Sequence, residues 1–116
     1  MPSRRTVRVN DLLREELSDL LRQLKDPRMA QVVSITEVEV SPDLRAAKVH
    51  VSTLGTEAEK QGTLDALRAS AGFLRRELRA RLSMKAIPML TFLRDESIEE
   101  GTRISALIDS VAHPKE

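Results

Sequence analysis

Ala66–Leu78 reads ALRASAGFLRREL, an apolar spacing that is helical from end to end with a glycine in its middle. Glycine costs a helix interior about 1 kcal/mol relative to alanine, so Gly72 calls for a reason. Leu64, Leu67, Ala71, Leu74, Leu78 and Leu82 keep three- and four-residue steps across it. Projected on a continuous helix with Arg68 at zero, these apolar residues gather at about −80°, while Gly72 falls at about +40°, Arg75 at about −20° and Arg79 at about +20°. Gly72 therefore shares the arginine side, where core packing does not explain it. A kink, a close approach by an external backbone, or both remain.

Outward from this stretch the chain alternates helix and strand. Val9, Leu12, Leu13, Leu17, Leu20, Leu21 and Leu24 predict an amphipathic helix that ends near KDPR (Lys25–Arg28), because proline disfavours helix at the residue before it. In SITEVEV (Ser34–Val40), Thr36, Val38 and Val40 are predicted to face one way and Glu37 and Glu39 the other. In AKVHVS (Ala47–Ser52), Ala47, Val49 and Val51 alternate with Lys48, His50 and Ser52. SPDL (Ser41–Leu44) between them suits a type I turn, so the two strands read as a hairpin. TEAE (Thr56–Glu59) forms a capping box, with Gly62 and Thr63 expected to delay the regular helix by one turn. IPMLTFLRD (Ile87–Asp95) predicts a short strand after Pro88 with Leu90 and Phe92 on one side. EEGTRISALIDSVA (Glu99–Ala112) predicts a final helix from the spacing of Ile104, Leu107, Ile108 and Val111.

The 116 residues, 41% of them apolar, suffice for one domain with a genuine core. The absence of an apolar run of membrane-spanning length and of a secretory signal predicts a cytoplasmic protein. There is no cysteine, which removes thiolate chemistry, and only His50 and His113 are available for metal or acid–base work. His50, on the outward side of its strand, reads as a surface residue. The acidic run Asp95, Glu96, Glu99 and Glu100 reads as the charged start of the last helix, not as a metal site. No P-loop or GxGxxG occurs, and the enzyme reading, a small hydrolase, has no nucleophile constellation behind it.

Net charge is only +1, yet between Leu64 and Arg94 stand seven basic residues, Arg68, Arg75, Arg76, Arg79, Arg81, Lys85 and Arg94, against Asp65 and Glu77. Arginine offers phosphate a planar fork of donors, and a glycine breach beside it admits a phosphate backbone closely, so contact with RNA or DNA is favoured over a merely solvated face. With no Trp, no Tyr, and Phe73 and Phe92 the only Phe residues, reading of splayed single-stranded bases is disfavoured.

RTVRV (Arg5–Val9), DPR (Asp26–Arg28), VEVSPDLRAAKVHVS (Val38–Ser52), AGFLRREL (Ala71–Leu78), PMLTFLRDES (Pro88–Ser97) and GTRI (Gly101–Ile104) together resemble the ribosome-binding factor A family, and the element order resembles a type II KH domain. The resemblance spans nearly the whole chain. It implies an α+β fold with one KH-like domain over residues 1–116, its core at about 5–111 between short flexible termini. A three-stranded sheet would carry helices on one face, with a C-terminal helix added. KH domains usually clamp backbone with a GXXG loop, which is absent; the resemblance implies instead a kink of the form Ala-x-Gly at Ser70, Ala71 and Gly72, where serine replaces the first alanine.

What the resemblance implies for function is a non-catalytic assembly factor. It would bind the immature 30S subunit and its 16S rRNA precursor, supporting late maturation and 5′-end processing, notably in the cold. Cofactor and metal are not implied. The expected partners are small-subunit rRNA and a candidate assembly GTPase, with no membrane contact and a monomeric state. The candidate RNA-binding residues are Ser70, Ala71, Gly72, Arg68, Arg75, Arg76, Arg79 and Lys85, with Arg4, Arg5 and Arg8 as a second phosphate contact. The alternative is a protein-interaction module on an assembly complex without direct RNA contact.

Overall fold

The computed structural model describes residues 3–29 and 32–95, and the expected helix at 99–112 lies outside them. Ser3 opens helix α1 (Arg4–Leu21): its Oγ accepts the Thr6 N–H at 3.2 Å, and Leu13, Leu17, Leu20 and Leu21 are buried below. The N-terminal arginines are therefore helical, not part of a loose tail, because the cap satisfies a donor that an uncapped start would leave unpaired. Leu12, counted with the apolar stripe, is exposed at its margin.

Strands β1 (Val33–Val40) and β2 (Ala46–Thr53) form the expected antiparallel hairpin. At its turn the Leu44 N–H donates to the Ser41 carbonyl at 2.8 Å, and the Asp43 carboxylate accepts from the Ser41 hydroxyl and the Arg45 N–H. Leu44 completes the turn at φ +61°, a conformation that usually selects Gly or Asn.

The facing of β1 differs from strict alternation. Ile35 pairs with Val51, but Glu37 pairs with His50 and Val38 with Val49, so Thr36 is an extra residue in a β-bulge. Without the bulge, Glu37 would lie opposite Val49 on the core side; with it, Ile35 and Val38 both point inward and Glu37 and Glu39 outward. Thr36 is not a core-facing position. Its hydroxyl reaches the His50 carbonyl at 3.3 Å and bonds the Asp95 carboxylate just beyond the third strand.

Helix α2 (Glu57–Ala69) starts at the Thr56–Glu59 capping box with both reciprocal bonds formed, at 3.1 and 3.2 Å. Gly62 and Thr63 do not delay it. The loop after α1 crosses the helix here: a Cβ on Gly62 would touch the Arg28 carbonyl at 3.5 Å, and the buried Thr63 hydroxyl lies 3.1 Å from the Glu59 carbonyl and 3.4 Å from that of Arg28. After a one-residue break at Ser70 comes helix α3 (Ala71–Arg81), and strand β3 (Met89–Arg94) then joins β2 in parallel, as a helical crossover permits.

The architecture is α+β, in the order α-β-β-α-α-β, with sheet order β1-β2-β3. Ala47, Val49 and Val51 of β2, Leu90 and Phe92 of β3, and Ile35 and Val38 of β1 form one apolar face, which α1, α2 and α3 cover with Leu13, Leu17, Leu20, Leu64, Leu67, Leu74 and Leu78. The other face, carrying Glu37, Glu39, Lys48, His50 and Thr91, is covered by none of the described elements. Phe92 is fully buried at the meeting of helices and sheet, whereas Met89, at the start of the same strand, is 60% exposed. Phe92→Ala should therefore cost about 3–5 kcal/mol through lost burial and a cavity, and Met89→Ala less than about 0.5 kcal/mol, as measured by urea unfolding.

Candidate nucleic-acid interface

The break between α2 and α3 follows from Ser70, whose backbone closes one helix and opens the next. Its N–H is shared between the Ala66 and Leu67 carbonyls at 3.0 and 3.1 Å, its carbonyl accepts the Leu74 N–H at 2.9 Å, and its hydroxyl makes no capping bond. Gly72 lies in the first turn of α3, exposed; a Cβ there would meet only the Arg76 guanidinium, at 3.6 Å. The first turn of a helix has N–H groups without intrahelical partners, so this is an open, electropositive stretch of backbone.

The basic residues of the Leu64–Arg94 segment fall into three groups. Arg75 is half-buried and donates Nε to the Pro88 carbonyl at 3.1 Å and Nη2 to the Ile87 carbonyl at 3.0 Å, while Arg68 donates Nη2 to the Phe92 carbonyl at 3.2 Å. These two fasten the helices to the entry and middle of β3. Arg81 bridges to Glu16 at 3.2 Å and Asp19 at 2.7 Å on α1, and Arg94 to Glu57 on α2 at 2.7 Å. The charge excess read from the window is thus partly neutralised from outside it. Arg76, Arg79 and Lys85 remain exposed with no acidic partner among the described residues.

Helices α1 and α3 run antiparallel. Phe73 shares a shallow hollow of about 570 Å³ with Gln23–Pro27, Arg81 meets Glu16 and Asp19, and Lys85 shares a groove of about 490 Å³ with Arg5 and Val9. That groove also takes in Arg45 from the hairpin turn, so Arg5, Arg45 and Lys85 line one concavity. Arg4 and Arg8 are exposed on the same end of α1. Arg5 and Lys85, which belong to two separate candidate groups in the sequence, become neighbours. Arg45 was not legible there, since a turn arginine carries no pattern, and neither was the exposure of Phe73, 39%, beside the helix break.

At the far end, DPR forms a closed unit. Asp26 accepts the Arg28 N–H at 2.9 Å and both Nε and Nη2 of its guanidinium at 3.1 and 2.8 Å. The Arg28 side chain, then its backbone N–H, lower the Asp26 carboxyl to about 2. A depressed carboxylate contributes stability above its unfolded value and loses it as pH falls through the folded one. This loop should therefore hold above about pH 5 and loosen on acidification toward pH 2. In Arg28→Met, which removes the guanidinium but keeps the backbone N–H of residue 28, carboxyl-carbon NMR should find Asp26 titrating higher than in the unsubstituted protein, yet still below its ordinary value of 3.8.

The protein-family model described as ribosome-binding factor A matches residues 5–108. The ribosome-binding factor A of Acetivibrio thermocellus is 43% identical over 109 residues, covering 93% of this chain and 89% of its own length. The crystal structure of ribosome-binding factor A from Thermus thermophilus superposes with a TM-score of 0.69 at 27% identity, covering 77% of this chain and 94% of that one. A homology model of the Thermus thermophilus factor, fitted into a cryo-EM map of a 30S complex, gives 0.64 at 28% identity, with 75% and 91% covered.

Proposed function

This chain belongs to the ribosome-binding factor A family, and on that premise we propose that it binds the immature 30S subunit and its 16S rRNA precursor, supporting late maturation and 5′-end processing without catalysis, in the cytoplasm. The observation that carries the reading is the pairing of exposed Gly72 with Arg76 and Arg79, cations with no acidic partner among the described residues, on the solvent side of α3. Phosphate can approach the open backbone there while guanidinium forks engage its oxygens. The groove of Arg5, Arg45 and Lys85 supplies a second phosphate contact, joined by Arg4 and Arg8, exposed in the first turns of the same helix α1. Arg68 and Arg75 act mainly by holding α2 and α3 against β3, with Ser70 and Ala71 setting the bend. The complex of the Thermus thermophilus factor with 30S supports the choice of target. Grip on an immature arrangement, released when the mature one fits less well, shifts a population through differential affinity alone.

Gly72 separates folding from binding. Because a Cβ there meets only the Arg76 guanidinium, Gly72→Ala should leave the fold intact or stabilise it by about 0.4–1 kcal/mol through helix propensity. Association with immature small subunits should nevertheless weaken, and more so in Gly72→Leu; undiminished co-sedimentation of the leucine variant would remove this site. Arg76→Gln and Arg79→Gln should each weaken subunit binding and lower its logarithmic salt slope by about 1, without changing the thermal midpoint. Crosslinks from this face to protein alone would favour the interaction-module reading.

A further inference from the structure

We propose that Glu37, Glu39 and His50, on the sheet face opposite the helices, form a binding site for a zinc-class divalent cation. The bulge at Thr36 creates the arrangement: it places Glu37 directly across from His50 and keeps Glu39, two residues on, on the same outward face. One carboxylate oxygen from each glutamate and one imidazole nitrogen lie within 4.8 Å of one another.

The histidine distinguishes this cluster from an ordinary pair of surface carboxylates. His50 Nε2 is shut off from solvent and has no hydrogen-bond partner among the described residues, although the side chain as a whole is 22% exposed. It stands 3.6 Å from Glu39 Oε2, beyond hydrogen-bonding distance. An unpaired buried nitrogen is a cost to the fold, and a cation between it and the carboxylates would remove that cost. Half-buried Leu93, the β3 neighbour of His50, flanks the imidazole. The competing charge is Lys48, cross-strand partner of Glu39, a single ammonium on a flexible stem.

The donor chemistry selects the cation. Zinc takes imidazole nitrogen and carboxylate oxygen at about 2.0–2.2 Å, so modest rotation of two exposed glutamates toward an imidazole carried on the central strand completes a three-ligand set. Imidazole disfavours magnesium and calcium, which prefer all-oxygen shells. Three protein ligands leave a position for water, and the bound ion would staple β1 to β2 without touching the helical face. This site does not depend on the RNA-binding reading.

The test is calorimetric titration of ZnCl2 into tag-free, chelator-treated full-length protein, with backbone amide NMR shifts recorded in parallel. One equivalent should bind, with shifts centred on residues 37–39 and 48–52, and MgCl2 at the same concentration should produce none. His50→Gln and Glu39→Gln should each weaken zinc binding at least tenfold, while His113→Gln retains it; the isosteric glutamate variant decides the matter should His50→Gln alter the fold. Zinc binding unchanged in Glu39→Gln, or lost in His113→Gln, would overturn the site.

Discussion

A helix running straight from Glu57 to Arg81 would be about 37 Å long, whereas eight-residue strands extend only about 26 Å. Such a helix would overrun the sheet and leave the leucines of one half in water. The fold depends on breaking it. The one-residue interruption at Ser70 lets Leu64 and Leu67 on one side, and Leu74 and Leu78 on the other, bury against the same apolar face. Each buried leucine is worth about 1.5–3 kcal/mol, far more than an exposed glycine or an imperfect helix start costs. The site inherits its shape from this packing requirement: the break exposes the first turn of α3 and leaves Gly72 facing outward.

The same constraint explains how the arginines divide their work. Once α3 lies across the sheet, Arg75 is brought to the two carbonyls that precede β3 and Arg68 to one inside it. Arg81 faces the acidic side of α1, where its ion pairs with Glu16 and Asp19 lie in partly exposed positions. Such pairs contribute little to stability and act more on the relative placement of two helices. For the proposed phosphate contact these pairs are subtractive: they take Arg81 out of the charge on offer, whereas Arg76, Arg79 and Lys85 stay exposed without an acidic partner among the described residues.

Much of the fold was legible because its elements announce themselves locally. The α1 stripe, the β2 alternation, the SPDL turn and the Thr56–Glu59 cap each involve residues a few positions apart, within reach of periodicity and turn chemistry. The β1 bulge was not, since Ile35 and Val38 are three apart and only pairing with Val51 and Val49 shows that both face inward. The candidate interface was legible as a basic segment with a glycine in it. Which cations stay uncommitted was not, because carbonyls of Ile87, Pro88 and Phe92 and carboxylates of Glu16, Asp19 and Glu57 lie in other elements.

By itself, the order of residues determined most of the described secondary elements and the apolar side of each helix, consequences of short-range sterics and spacing, while the break at Ser70 entered through the family resemblance. The family, too, was legible in its ordered motifs. Tertiary structure alone decided which charges are spent. It joined Arg5, Arg45 and Lys85 in one groove, tied Arg68 and Arg75 to the backbone of β3, and set His50 across from Glu37. These are contacts between residues distant in the chain, governed by how helices must cross a finite sheet, and no local pattern encodes them.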